Sequence, residues 1–148
     1  MLEKLTNIGF RKVGDWLLVD GELKLDLVHE ANSKNILYSF VVDGVPVYVG
    51  KTVQPLKKRM YGYQNPGPTQ STNIRNNANL IEVLSAGGNV ELFALPDHGL
   101  MYFGGFHLNL AAALEDSIVS TLQPKWNSVG NATSNKALKR DRPNRAAP

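Results

Sequence analysis

Residues 35–63, NILYSFVVDGVPVYVGKTVQPLKKRMYGY, constrain the fold more tightly than any other part of the chain. They read as two tyrosine-centred strands, a tight turn, a basic loop and the start of a helix. Asp43-Gly44 between apolar runs predicts a β-hairpin, because both residue types accept the left-handed backbone of a tight turn. If Val42-Asp43-Gly44 is a three-residue loop with Gly44 left-handed, Val41 pairs with Val45. Tyr38 then stands directly opposite Tyr48 on one face of the sheet. A two-residue loop puts the tyrosines on opposite faces, since a one-residue slip turns every side chain over. A shared tyrosine site requires the first arrangement; strand aromatics also occur as ordinary packing residues.

Lys51, Lys57, Lys58 and Arg59 follow the second strand at once, and no acidic residue lies between Gly44 and Ile81. The field over this segment is one-signed, which suits a phosphate site built on a rigid hairpin. Pro55 is placed for the first turn of a helix. Arg59 and Tyr63, four apart, share one face of that helix, while Lys57 and Lys58 point elsewhere and read as a solvated face. The remaining charge is uneven. Residues 1–127 carry 11 basic and 12 acidic side chains, whereas residues 128–148 carry five basic and one acidic. Overall basicity therefore resides in the tail, a layout that fits a polyanion partner or a solubilising disordered tail.

A chain of 148 residues suits one domain with one core. It has no cysteine, which excludes disulfides, thiolate metal sites and cysteine nucleophiles and leans towards an intracellular, cytoplasmic protein. No apolar run approaches membrane-spanning length, and the N-terminus lacks a signal-peptide core, so no membrane association is expected.

Before the central hairpin, residues 2–8 form a short helical turn. Trp16 to Val19, Asp20-Gly21 and Glu22 to Leu27 then read as a second hairpin that extends or covers the core sheet. After it, residues 64–72 form a turn-rich loop. Ile74, Ala78, Ile81 and Leu84 keep helical spacing, with Arg75, Asn76, Asn79 and Glu82 off that stripe. Gly87-Gly88 ends this helix, Val90 to Leu95 reads as a third core strand, and residues 96–105 as a loop. His29, His98 and His107 have no partners at metal-ligand spacing. A last helix over 107–122 carries the seam Leu108, Ala111, Glu115, Ile118, Leu122. A carboxylate on an apolar seam is costly unless it is paired, binds a metal or reaches the edge of the stripe.

Taken in order, Ile36-Leu37-Tyr38, Tyr48-Val49-Gly50-Lys51, Arg59, Tyr63, Glu115 and Pro124-x-x-Asn127 resemble the GIY-YIG nuclease superfamily. The resemblance covers residues 35–127. Ile36 stands where the first motif has glycine. One residue is missing between the tyrosines and one is gained between Gly50 and Arg59, so the Tyr38-to-Arg59 interval is kept.

The resemblance implies an α+β fold: a small three-stranded antiparallel sheet flanked by helices, here with an extra N-terminal β-hairpin. It divides the chain into an N-terminal extension (1–34), a nuclease core (35–127) and a basic, flexible tail (128–148). It implies a divalent-metal-dependent endonuclease that hydrolyses DNA phosphodiester bonds with Mg2+ or Mn2+. By carry-over, Glu115 is the metal ligand and Tyr38 accepts a proton from the attacking water. Tyr48 supports Tyr38, Arg59 binds the scissile phosphate, and Tyr63 sits beside the phosphate or the metal waters. Lys51, Lys58, Arg75 and Asn127 complete the expected phosphate- and DNA-binding set, Asn127 at a position that also holds the site together. The residue types suit the chemistry. An arginine fork answers charge on phosphoryl oxygens, and a lone carboxylate suits a magnesium ion that keeps most of its water. Tyrosine can act as a base only if nearby cations bring its pKa down from about 10. A non-catalytic nucleic-acid-binding protein on the same fold is the competing reading. The DNA-bound state, monomer or dimer, is left open, although cutting both strands with one site per chain needs two chains or two encounters.

Overall fold

The computed structural model describes residues 1–127; the expected basic tail lies outside the described residues. Helix α1 (Leu2–Asn7) leads into β1 (Arg11–Val19) and β2 (Glu22–Leu27), then β3 (Ile36–Val42) and β4 (Val45–Thr52). Two helices follow, α2 (Leu56–Gln64) and α3 (Ser71–Ser85), then β5 (Val90–Pro96). A short ribbon of β6 (Tyr102–Phe103) and β7 (Phe106–His107) precedes α4 (Leu110–Leu122). No helix among the described residues is long and apolar enough to cross a membrane.

The fold is α+β, but the main sheet has five strands in the order β2-β1-β5-β3-β4, not three. Every pairing in it is antiparallel. The N-terminal hairpin is present, with a left-handed Asp20-Gly21 turn (φ 53° and 77°) closing Val19 against Glu22. Of the two expected placements, extending or covering the core sheet, it takes the first. β1 pairs with β5 from Arg11↔Ala94 to Trp16↔Val90 and continues the sheet. Buried Val13 and Trp16 give β1 a core face of its own, so the section before residue 35 is part of the folded body.

Two apolar layers sit on the two faces. On one, Trp16, Tyr38, Phe40, Leu92 and Ala94 meet Leu56, Met60 and Tyr63 of α2 and Leu80 of α3. On the other, Leu37, Val49 and Leu95 meet Leu5 of α1 and Ala111, Ile118 and Leu122 of α4. Strand alternation produces this split: Tyr38 and Phe40 face one way and Leu37 the other. Phe40 is the hub of the first layer. Its ring is stacked on Tyr48 at 5.4 Å, edge-on to Tyr63 at 5.1 Å and edge-on to Trp16 at 5.8 Å, arrangements that the ring quadrupole favours.

The central hairpin corrects the expected register while keeping its consequence. The turn has two residues: Asp43 (φ 47°) and Gly44 (φ 83°) close Val42 against Val45. A β-bulge then changes parity, because Val41 pairs with Pro46 but Phe40 pairs with Tyr48, leaving Val47 as the extra residue. Bulging offsets the one-residue slip. Tyr48 therefore sits opposite Phe40 and Tyr38 opposite Gly50. The two tyrosines are diagonal neighbours on one face, with ring centroids 6.3 Å apart.

Gly50 follows from this register. A Cβ there would lie 2.7 Å from the Tyr38 hydroxyl oxygen, 2.8 Å from its Cζ and 3.0 Å from Tyr48 Cε2. The Tyr38 ring lies over the strand where a side chain would stand. Gly50→Ala is expected to destabilise the fold by roughly 1–3 kcal/mol, as overpacking does, and to tilt the Tyr38 ring. Thermal unfolding with tyrosine ring-proton spectra checks this; native stability with unshifted Tyr38 resonances would contradict the packing.

Candidate active site

Four of the sequence-predicted residues meet on one face of the sheet. The Tyr38 and Tyr63 hydroxyls are 2.6 Å apart and hydrogen-bonded, and either can donate. Arg59 Nη2 donates to the Tyr63 hydroxyl at 2.7 Å, and its guanidinium also covers the Tyr63 ring at 4.3 Å. The α2 spacing produces this pair, since residues four apart lie one above the other on a helix. Pro55 stands at the N-cap of α2, one position before the first turn, and accepts from Arg59 N. Tyr48 closes the group with its ring 6.4 Å from that of Tyr63.

Arg59 has a further partner that the sequence reading missed. Its Nη1 donates to Asn73 Oδ1 at 2.9 Å; Asn73 Nδ2 donates to Gln70 Oε1 at 3.0 Å, which also accepts from Gly67 N. Asn77 Nδ2 donates to the Tyr63 carbonyl at 2.7 Å. The inward face of α3 is thus an asparagine ridge, with Asn73, Asn76 and Leu80 buried and Ile74 43% exposed. The predicted stripe through Ile74 is corrected. The signal was in the sequence: asparagines at 73, 76 and 77 keep helical spacing as well as the apolar residues do. Burying an amide is favourable only where its hydrogen bonds are met; the guanidinium and the α2 carbonyls meet bonds of Asn73 and Asn77, whereas both amide atoms of the buried Asn76 have no partner among the described residues.

Burial sets the protonation of the tyrosine pair. It pushes the Tyr38 phenol well above the ordinary value near 10; Tyr48 adds to the shift and Arg59 opposes it. Tyr63 is raised for the same first reason, with Tyr38 and Tyr48 adding to it. Arg59 acts in the direction a tyrosine base requires, but in the protein alone desolvation outweighs it.

Glu115 and Lys51 form a second group on the other face. Lys51 Nζ lies 3.8 Å from Glu115 Oε1. Gly50 and Lys51 are consecutive in β4, so one lies under the Tyr38 ring and the next reaches Glu115. The two groups thus approach from opposite sides of the edge strand. Glu115 is half-buried, its side chain 24% exposed, at the rim of the apolar seam rather than in its centre. Leu108 lies before the helix, which begins at Leu110, so the seam runs through Ala111, Ile118 and Leu122. Desolvation raises the Glu115 pKa, and Lys51 pulls it back.

Of the remaining residues, Asn127 acts on backbone. Its Oδ1 accepts from Val49 N at 2.8 Å and its Nδ2 donates to Val49 O at 2.9 Å. Trp126 N donates to Val47 O at 2.7 Å beside it. The chain after α4 thereby clips the free edge of β4 next to Gly50, and both amide atoms of Asn127 are engaged there. Lys58 is exposed on α2, and Arg75 is half-buried on α3.

Among the described residues, no three His, Cys, Asp or Glu side chains cluster as metal ligands. Glu115 offers carboxylate oxygens at a partly desolvated rim where a divalent ion can keep most of its water. That fits Mg2+ or Mn2+ better than a metal needing a protein cage.

The sequence matches no family profile and no curated protein. Solved structures do match. A Glu-to-Ala mutant of bacteriophage T4 EndoII aligns over 86% of this chain and 97% of its own, with TM-score 0.67 and 24% identity. The restriction endonuclease HPY188I in complex with product DNA aligns over 81% of this chain and 77% of its own, with TM-score 0.50 and 19% identity. These likenesses establish a fold shared with two endonucleases.

Proposed function

We propose that this protein is a DNA endonuclease that hydrolyses phosphodiester bonds through a GIY-YIG-type site with one divalent cation. One observation carries the reading. An arginine fork, fixed by Tyr63 and Asn73, lies on one side of β4, and a lone carboxylate, Glu115, lies on the other. The shared fold with a nuclease seen on product DNA supports DNA as the substrate.

Arg59 binds the scissile phosphate with the N–H donors left over from Tyr63 and Asn73. A guanidinium carries five donors, so two internal bonds leave a fork free. Holding it in advance avoids reorganisation when charge develops on the phosphoryl oxygens. Lys51 gives a second cation beside Glu115, with Lys58 and Arg75 contacting flanking phosphates. Glu115 would hold Mg2+ or Mn2+, which when bound supplies charge neutralisation at the leaving oxygen and a lowered pKa for bound water. Tyr38 orients the attacking water through its hydroxyl oxygen, with Tyr63 and Arg59 behind it. Asn127 keeps β4 in place beneath both groups.

Tyr38→Phe removes one oxygen and leaves a ring that still packs on Phe40. It is expected to slow cleavage by roughly 10- to 100-fold as an orienting group is lost, with the fold kept. Cleavage at the native rate would remove Tyr38 from the reaction. Digestion of defined linear, nicked and branched DNA with added Mg2+ tests the function and its substrate together. Cleavage products on at least one substrate are expected; intact DNA on all three would overturn the proposal.

A further inference from the structure

Between β5 and α4 the chain leaves the main sheet as an arm. Its two short strands pair with each other, Tyr102 with His107 and Phe103 with Phe106, around Gly104-Gly105. The arm is apolar on the outside. Leu100 is 81% exposed, Tyr102 64%, Phe103 83%, Phe106 81% and Met101 47%. Its root is tied down: Asp97 accepts from Gly99 N at 2.8 Å and Leu110 N at 3.1 Å, and Leu108 N donates to Met101 O at 2.8 Å. A two-stranded ribbon with no covered face is marginal by itself. A contiguous apolar surface of this kind marks an interaction site.

Charge decides what covers it. From residue 76 to 124 there is no Lys or Arg, while Glu82, Glu91, Asp97, Glu115 and Asp116 are present. A wedge driven into DNA needs cations beside it to hold the phosphates; residues 99–108 carry none, and Arg11 and Lys12 line a cleft with His98 at the arm's root. The chain's own residues 128–148 provide Val129 and Leu138 as their large apolar side chains, a poor match for five exposed ones. Residues 99–108 hold no Asp, Glu, Lys or Arg, so two arms meet without like-charge repulsion. Area points the same way. At about 150–250 Å2 for a large buried side chain, the exposed residues present roughly 500–700 Å2. Two arms together reach about 1,000–1,400 Å2, where specific interfaces begin.

We propose that the arm is a dimerisation element: two copies of this chain pack their 99–108 arms against each other across a two-fold axis. Such an isologous contact buries the same patch twice, and Asp97 and Leu110 couple it to the start of the helix that carries Glu115. The proposal stands independently of the nuclease reading.

Sedimentation equilibrium of the full chain across the micromolar range is the test. The wild type is expected to be dimeric, and Phe103→Glu with Phe106→Glu is expected to weaken association by a hundredfold or more. Both positions are exposed, so the variant's unfolding temperature, read beside it, should stay near that of the wild-type monomer. Gly105→Cys gives a second reading, because the chain has no other cysteine and paired arms should oxidise to a covalent dimer. A wild type monomeric throughout the range overturns the proposal. So does a double variant that stays dimeric, and if that variant also loses DNA affinity, the arm belongs to DNA instead.

Discussion

Arg59→Lys is expected to lower the cleavage rate on the order of a hundredfold or more, the usual consequence of losing a well-placed transition-state donor. The charge is kept, so the loss isolates geometry. Arg59 bonds Tyr63 through Nη2 and Asn73 through Nη1, and its planar fork can do this while still presenting N–H groups to a phosphate. An ammonium has three donors on one atom. To reach Asn73 and Tyr63 it must turn away from the substrate, and to reach the substrate it must release them. DNA affinity is expected to fall far less than the rate, because much of it comes from unspecific phosphate attraction. Single-turnover rates with separately measured DNA binding check this. Equal losses in both would make Arg59 a binding residue only.

Glu115→Ala is expected to abolish Mg2+-dependent cleavage while leaving DNA bound. The carboxylate is half-buried, Lys51 is 3.8 Å away, and desolvation raises its pKa. The sign for stability follows. A carboxyl whose folded pKa lies above its unfolded value binds more protons when folded, so its contribution to stability falls as pH rises through that window. At neutral pH the ionised group is a net burden that a bound cation relieves. Glu115→Gln should therefore melt at the wild-type temperature or slightly above it without metal. Added Mg2+ should stabilise the wild type and leave the variant unchanged. A wild type that Mg2+ does not stabilise, or a variant that gains as much, would contradict a metal at Glu115.

Much of the hairpin was legible because local chemistry dictates it. Asp-Gly pairs at 20–21 and 43–44 specify left-handed turns whatever surrounds them, and both hairpins form there. The bulge at Val47 was not legible. It depends on Val47 and Tyr48 both packing into the Phe40 layer, a tertiary preference that two-residue periodicity cannot express. The five-stranded sheet was missed for a related reason: nothing local in Arg11 to Trp16 says that its partner is β5, some eighty residues later. On α3, hydrophobic periodicity selects Ile74, whereas the buried face carries Asn73, Asn76 and Leu80, with Asn73 bonded to Arg59. The arm has the sequence signature of a loop because its Gly-Gly turn joins strands of only two residues each. The Arg59–Tyr63 pairing followed from spacing along α2; the shared face of Tyr38 and Tyr48 did not, because the bulge produces it rather than a three-residue turn. Nor did the upward push on the Tyr38 pKa, since burial is a property of the folded chain.

The most direct measurement is the conversion of supercoiled plasmid by wild type and Glu115→Ala, each with Mg2+ and with a chelator. The account predicts nicked or linear product from the wild type with Mg2+ alone. Intact plasmid in all four reactions, or equal cleavage by Glu115→Ala, would contradict it.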